Sequence, residues 1–373
     1  MTAQKTSAWP LSLVYVALVV YASLYPFSDW RNQGIVPWAF LTAPLPKYWT
    51  GFDVAINVAG YGPLGFLLAL SALRGGSRWR SAWAVTLATL AAALLSLSME
   101  MLQSYLPTRV ASNVDFGLNT LGAWLGAATA WSLEKLGAID HWSRFRERWF
   151  VADAHGALVL LALWPVALLF PAPVPLGLGQ VLERLEAAVA EALADTPFLA
   201  WLPMREVELQ PLIPGAELLC VMLGALIPCL LGFCVMRSAR RRAAFLVVMM
   251  AAGIGVSALS AALSWGPSHA WAWLSLPVRV GLVAGLVLAV LLMPLPRRGC
   301  AALLLLALTV HLGLLNQAPT SAYFAQTLQT WEQGRFIRFH GLVQWLGWLW
   351  PYVTLVYVLV RLSRAEPKPK MPS

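Results

Sequence analysis

The chain has 373 residues, 59% of them hydrophobic and only 12% charged, against roughly a quarter charged in an ordinary soluble domain. With a mean hydropathy of +0.68, this composition excludes a soluble globular domain and predicts an all-α, polytopic membrane protein. The net charge of +9 does not indicate nucleic acid, because the basic residues follow membrane orientation instead.

A transmembrane helix needs about 20 mostly apolar residues. Ten stretches meet that ruler: 10–26, 52–73, 81–104, 114–134, 155–171, 213–236, 243–264, 271–293, 299–316 and 342–362. Only Lys5 precedes the first, and Tyr21-Ala22-Ser23 makes a poor cleavage site, so it reads as an uncleaved span rather than a signal peptide. With the N-terminus in the cytoplasm, alternation places eighteen Lys and Arg residues inside and seven outside, with Arg279 within a span. That is a positive-inside pattern. The expected fold is a transmembrane helical bundle of about ten spans with both termini cytoplasmic.

Four segments interrupt the spans. Residues 137–154 read as a cytoplasmic basic loop, dividing a four-span core (1–136) from a six-span extension (155–364). The outer segment 172–212 follows Pro171 and carries Pro173 and Pro175. It then places Val181, Leu182, Leu185, Ala188, Val189 and Leu193 at helical spacing. This predicts an amphipathic helix, lying on the outer membrane surface or packed as a solvated linker on other spans. Residues 317–341 form an outer loop rich in aromatic and basic side chains, and 365–373 a disordered basic tail. No internal repeat supports an inverted-repeat transporter. Cys220, Cys229, Cys234 and Cys300 have no C-x-x-C pair or nearby His at ligand spacing, and read as small buried hydrophobes. No metal or cofactor is expected.

Alternation brings Asp53, Glu100, Arg109 and Asp115 close to the outer face. Ser96, Glu100 and Gln103 share one helix face, as do Asp115 with Asn119 and Asp53 with Asn57. Three helices therefore each offer a carboxylate and an amide at one depth. Such a cluster can be an ion-pair network that fixes packing. Ionisable groups in a membrane also mark functional sites. Arg109 suits a phosphate, pyrophosphate or carboxylate, and Glu100 or Asp115 could act as a base or orient Arg109. Gly122 and Gly126 form a small-x-x-x-small pair for close helix packing, and Pro63 should kink or loosen the second span. Arg279 is a secondary candidate for the same cavity, whereas His311 reads as a packing histidine.

These residues also stand in a familiar order. Asn57-x-x-x-Tyr61-x-Pro63-Leu64-Gly65-Phe66, then Glu100-x-x-Gln103, Arg109, and Asp115-x-x-x-Asn119-Thr120-x-Gly122-x-x-x-Gly126 resemble the VanZ-like family of membrane proteins. The resemblance covers about residues 10–136. It implies a four-span core in a bacterial cytoplasmic membrane, with these polar residues as its signature. The founding member is associated with resistance to the glycopeptide teicoplanin. The remaining six spans lie outside that core.

The candidate ligand-binding set is Glu100, Arg109 and Asp115, with Gln103, Asn119, Asn57 and Asp53 around them. The expected partners are membrane lipids, among them an anionic lipid-linked envelope precursor, and not nucleic acid. A protein that binds such a component, a transporter or flippase with a polar path, and a membrane enzyme acting on an envelope lipid precursor all stay open.

Overall fold

In the computed structural model of the chain, the described residues are 8–25, 27, 29–45, 51–75, 81, 83–170, 172–201, 209–319 and 337–363. Among them are twelve α-helices: α1 Ala8–Leu24, α2 Gly51–Arg74, α3 Ala84–Gln103, α4 Asn113–Lys135, α5 Ala138–Trp149, α6 His155–Ala167, α7 Leu182–Leu193, α8 Pro214–Val235, α9 Ala239–Trp265, α10 Leu276–Leu291, α11 Arg297–Leu315 and α12 Ile337–Ser363. Backbone pairing of the β kind is limited to one bridge among the described residues, Phe150 with Met236. Each expected span coincides with a helix. Six helices are long and apolar enough to cross a membrane (α2, α3, α8, α9, α11 and α12), while α1, α6 and α10 are apolar but shorter. Helix α4 is 23 residues long, but Asn113, Asp115 and Asn119 at one end and Glu134 and Lys135 at the other dilute its apolar stretch. The expected tail and most of the expected outer loop 317–341 lie outside the described residues.

The chain divides into two compact units, Met1–Phe145 and Arg146–Ser373. In the first, α1 to α4 form a bundle whose tightest pair is α2 and α4. The sequence dictates that closeness. A methyl group on Gly126 would collide with the Gly62 carbonyl, one on Gly122 with the Val58 carbonyl, and one on Gly65 with the Ala123 carbonyl. Backbone therefore lies directly on backbone, the small-residue packing of membrane helices. Ala92 and Ala123 pack with Leu64 in the interior, and Ala69, Ala88, Ala127 and Ala130 form a second buried cluster. Helix α2 runs unbroken through Pro63. At its C-terminal end Arg74 bonds Glu134 at 3.0 Å and Asp140 at 2.6 Å.

Where the sequence reading has a basic loop at 137–154, the chain forms α5. Gly137, in the left-handed conformation (φ +68°), turns the chain beyond α4. Ala138, Trp142, Phe145 and Trp149 then recur at helical spacing, a stripe that the abundance of arginine conceals in a charge-based reading.

In the second unit α8 is the central helix, buried continuously from Leu223 to Val235; α10 and α11 pack most closely on it, with α6 and α9 beside them, and α12 packs on α6 and α11. Arg242 fastens the ends of this bundle. It is 6% exposed and donates to the carbonyls of Met293 and Leu295, each at 2.6 Å, and of Phe233 at 2.8 Å. These carbonyls lie at or just past helix C-termini, where the backbone dipoles favour a cation.

The expected outer segment 172–212 is helical at α7 as foreseen, but Val174 and Leu176 to Gln180 are buried in the second unit without forming a helix. Burying irregular backbone requires partners for its polar groups. Gly179 N–H donates to the Gly347 carbonyl at 2.9 Å, and its own carbonyl accepts from Asn316 Nδ2 and Tyr352 Oη. Asn316 Oδ1 accepts the N–H groups of Val181 and Leu182, each at 3.0 Å. The prolines suggest a surface linker, but the alternation of Val174, Leu176 and Leu178 was the available signal of a half-buried extended segment.

Candidate functional site

The polar residues of the first unit gather at the end formed by the N-terminus of α2, the C-terminus of α3 and the N-terminus of α4. Helix α4 starts where it does because Ser112 is an N-cap, its Oγ accepting from the Asp115 N–H at 3.3 Å. Ser112-x-x-Asp115 is a capping-box spacing, in which the acidic side chain ordinarily reaches back to the cap's own N–H. Here Glu100, from α3, takes that N–H, its Oε2 lying 2.8 Å from Ser112 N. The Asp115 carboxylate instead accepts from Asn57 Nδ2 at 2.7 Å. Two carboxylates thus meet the positive end of the α4 dipole, one from within and one from a neighbouring helix.

The other candidates complete the assembly. Glu100, Gln103 and Ser96 are all buried, so the face inferred from their spacing points into the bundle. Asn119 Nδ2 donates to Ser96 Oγ at 3.0 Å, and Gln103 Nε2 to the Ser23 carbonyl at 3.0 Å. Arg109 is partly exposed and donates to the Tyr25 carbonyl at 2.9 Å. Asp53 lies in the first turn of α2 and is exposed. The structure therefore joins Asn57 directly to Asp115 and ties Glu100 to the α4 cap. Arg279 belongs to the second unit, exposed in the first turn of α10, with its Nε on the Leu274 carbonyl at 2.9 Å.

Sequence reasoning missed three parts of this end. One is Ser112, legible from the capping-box spacing. The second is the place of Tyr61 at the site, since the residue stands in the ordered motif but not in the candidate set; it is 5% exposed, and its hydroxyl, beside Ser96, has no hydrogen-bond partner among the described residues. The same holds for Asn119 Oδ1. The third is the segment between α1 and α2, which lies against this end. Arg31 N–H donates to the Tyr105 carbonyl at 3.0 Å, Gln33 Nε2 to the Ser104 carbonyl at 2.8 Å, and Asn113 Nδ2 to the Ala43 carbonyl at 2.7 Å. The same segment exposes Trp30, Ile35, Val36, Trp38, Leu41 and Leu45. Apolar and aromatic side chains displayed together suit a membrane interface.

In the second unit, folding brings together a pair that sequence spacing keeps apart. The buried His311 places Nδ1 3.1 Å from the Cys220 carbonyl and 3.5 Å from its Sγ, in keeping with a packing histidine. Among the described residues, no three His, Cys, Asp or Glu side chains gather as a metal site would need.

Helices able to cross a bilayer, with carboxylates, amides and a guanidinium at one end of a four-helix unit, define an integral membrane protein with a polar site at a bundle end. Residues 6–134, the N-terminal third of the chain, match the family model described as VanZ/LLP1, so this part of the protein is VanZ-like. No curated protein and no solved structure matches the chain.

Proposed function

We propose that the polar end of the VanZ-like unit binds the anionic head group of a lipid-linked cell-envelope component at the outer face of a bacterial cytoplasmic membrane. The reading keeps the ten-span topology with both termini inside. Its main support is the partly exposed Arg109 beside the carboxylate-capped start of α4, next to a segment that displays aromatic and aliphatic side chains. A guanidinium recognises phosphate and carboxylate well, and the apolar segment offers a place for an acyl or polyprenyl chain. Binding is favoured over transport by what lies beneath the cluster. Leu64, Ala92 and Ala123 are fully buried there, and α2 and α4 touch through backbone, an arrangement that leaves little room for a polar path. A role in envelope-antibiotic resistance would follow if the component bound is one that such antibiotics target.

Native mass spectrometry with lipid extraction on the full chain tests the proposal. Wild type should retain a specific anionic lipid that Arg109→Ala loses. Glu100→Gln keeps an oxygen for the Ser112 N–H while removing the charge, so it should remain folded. Identical bulk phospholipids on all three proteins would sink the idea and leave the cluster a packing network.

A further inference from the structure

We propose that the second unit contains a separate site for a phosphoglycerol-type lipid head group, built on the buried segment between α6 and α7. A crevice there is lined by Phe170, Gly177, Gly179, Gln180, Arg184 and Trp348, among others, and has a cavity of about 20 Å³. That is room for one water-sized or hydroxyl-sized group.

Gln180 supplies the recognition chemistry. The residue is 6% exposed, and its Nε2 donates to the Ala318 carbonyl at 2.7 Å. A carbonyl only accepts, so this bond fixes the amide's orientation and makes Oε1 the remaining acceptor. Oε1 is buried and has no hydrogen-bond partner among the described residues. An unmet buried acceptor costs free energy, and an O–H donor in the crevice would relieve it. Arg184 lies with its guanidinium 5.0 Å from the Trp348 ring centroid, an arrangement that holds a cation in place on an aromatic face. Phosphate is its natural partner.

The backbone of the crevice wall is held close to its neighbours by glycines. Gly179 adopts φ +98°, and a methyl group there would press on Leu312 and Pro351; one on Gly177 would press on Val174 and Leu315. Non-helical chain inside a helical membrane bundle is sustained where it is buried in protein or lines a cavity, and the stretch from Gly177 to Gln180 does both. A sugar ring is too large for a space of this size. A single hydroxyl fits, with a phosphodiester outside the cavity at Arg184. These features select a head group with one phosphate and a short hydroxylated arm.

The test uses the full-length protein in detergent, titrated by native mass spectrometry with phosphatidylglycerol, phosphatidylethanol and phosphatidylcholine. Phosphatidylethanol keeps the phosphodiester and its charge but lacks the hydroxyls. Wild type should bind phosphatidylglycerol about fivefold more tightly than phosphatidylethanol, the value of one good hydrogen bond. Arg184→Gln should bring both down to the level of phosphatidylcholine. Gln180→Met should erase the preference between the two. Equal binding of phosphatidylglycerol and phosphatidylethanol by wild type would overturn the proposal and leave an ordered water as the occupant of the cavity. That comparison needs no variant, so it decides even if Gln180→Met fails to fold.

Discussion

The two units place ionisable side chains in low-dielectric surroundings by different means. In the first, carboxylates from α3 and α4 converge with a guanidinium from the loop between them, and Arg109 is partly exposed. In the second, Arg242 is buried and turns to three backbone carbonyls. Both satisfy the rule that a buried charge needs partners. The first mixes side-chain charges of both signs around a partly exposed guanidinium, whereas Arg242 has only backbone for partners. Burial of a charge within a membrane bundle is therefore a weaker sign of function than the kind of partner it takes. Arg242 acts as a staple for helix ends, and Arg109 sits where chemistry or recognition can occur.

Two glycine contacts, one in each unit, differ in what a methyl group would meet, and the largest expected effect follows from this. A β-carbon at Gly126 meets the backbone of Gly62, whereas one at Gly232 meets the side-chain ring of Phe245. Backbone in a packed helix pair cannot retreat locally, but a ring can rotate or shift. Gly126→Ala should destabilise the first unit by about 3 kcal/mol or more, and Gly232→Ala the second by about 1–2 kcal/mol. Thermal unfolding in detergent, followed by intrinsic tryptophan fluorescence, measures both. Equal losses would mean that the α2–α4 contact is more compliant than its geometry implies.

Much of this was legible in the chain. Long apolar runs marked where helices form, and six of those helices are long and apolar enough to cross a membrane. Spacing also placed Ser96, Glu100 and Gln103 on one inward face, and the Gly122/Gly126 pair at a tight contact. Partners were not legible. That Glu100 would take the Ser112 N–H while Asp115 turned to Asn57 depends on how α2, α3 and α4 are rotated about their axes. Several rotations satisfy the same hydrophobic pattern. The buried course of residues 174–180 was hidden for a related reason. Prolines and glycines mark irregular backbone, but the hydrogen bonds that make burial tolerable come from Asn316, Gly347 and Tyr352, all more than 130 positions away. The helix α5 was masked by its own charge.

The contrast between the two arginines predicts the next effect in size. Arg242→Met preserves much of the side-chain volume and strands the carbonyls of Phe233, Met293 and Leu295. A loss of about 2–4 kcal/mol is expected, since each stranded buried group costs about 1–3 kcal/mol and water will reach some of them. Arg109→Ala, at a partly exposed position, should cost less than about 1 kcal/mol while removing the ligand. Chemical unfolding of each variant beside wild type measures the difference. A greater loss of stability for Arg109→Ala would reverse the roles assigned to the two residues.

The smallest effect concerns the start of α4, where the cap is shared between two helices. Ser112→Ala removes the acceptor for the Asp115 N–H and should cost about 1 kcal/mol. It leaves the Glu100 bond intact, because that bond uses the Ser112 backbone. Glu100→Gln keeps an oxygen at the Ser112 N–H but turns a charge-assisted bond into a neutral one, which is roughly half as strong. It should cost about as much as the cap or less. The two substitutions act on different N–H groups, so their effects should add to within about 0.5 kcal/mol in a double-mutant cycle. A coupling above about 1 kcal/mol would show that the Ser112 hydroxyl and the Glu100 carboxylate work as one polar unit. Glu100 would then be a structural cap first, and the ligand site would rest on Arg109 and the Asn57–Asp115 pair.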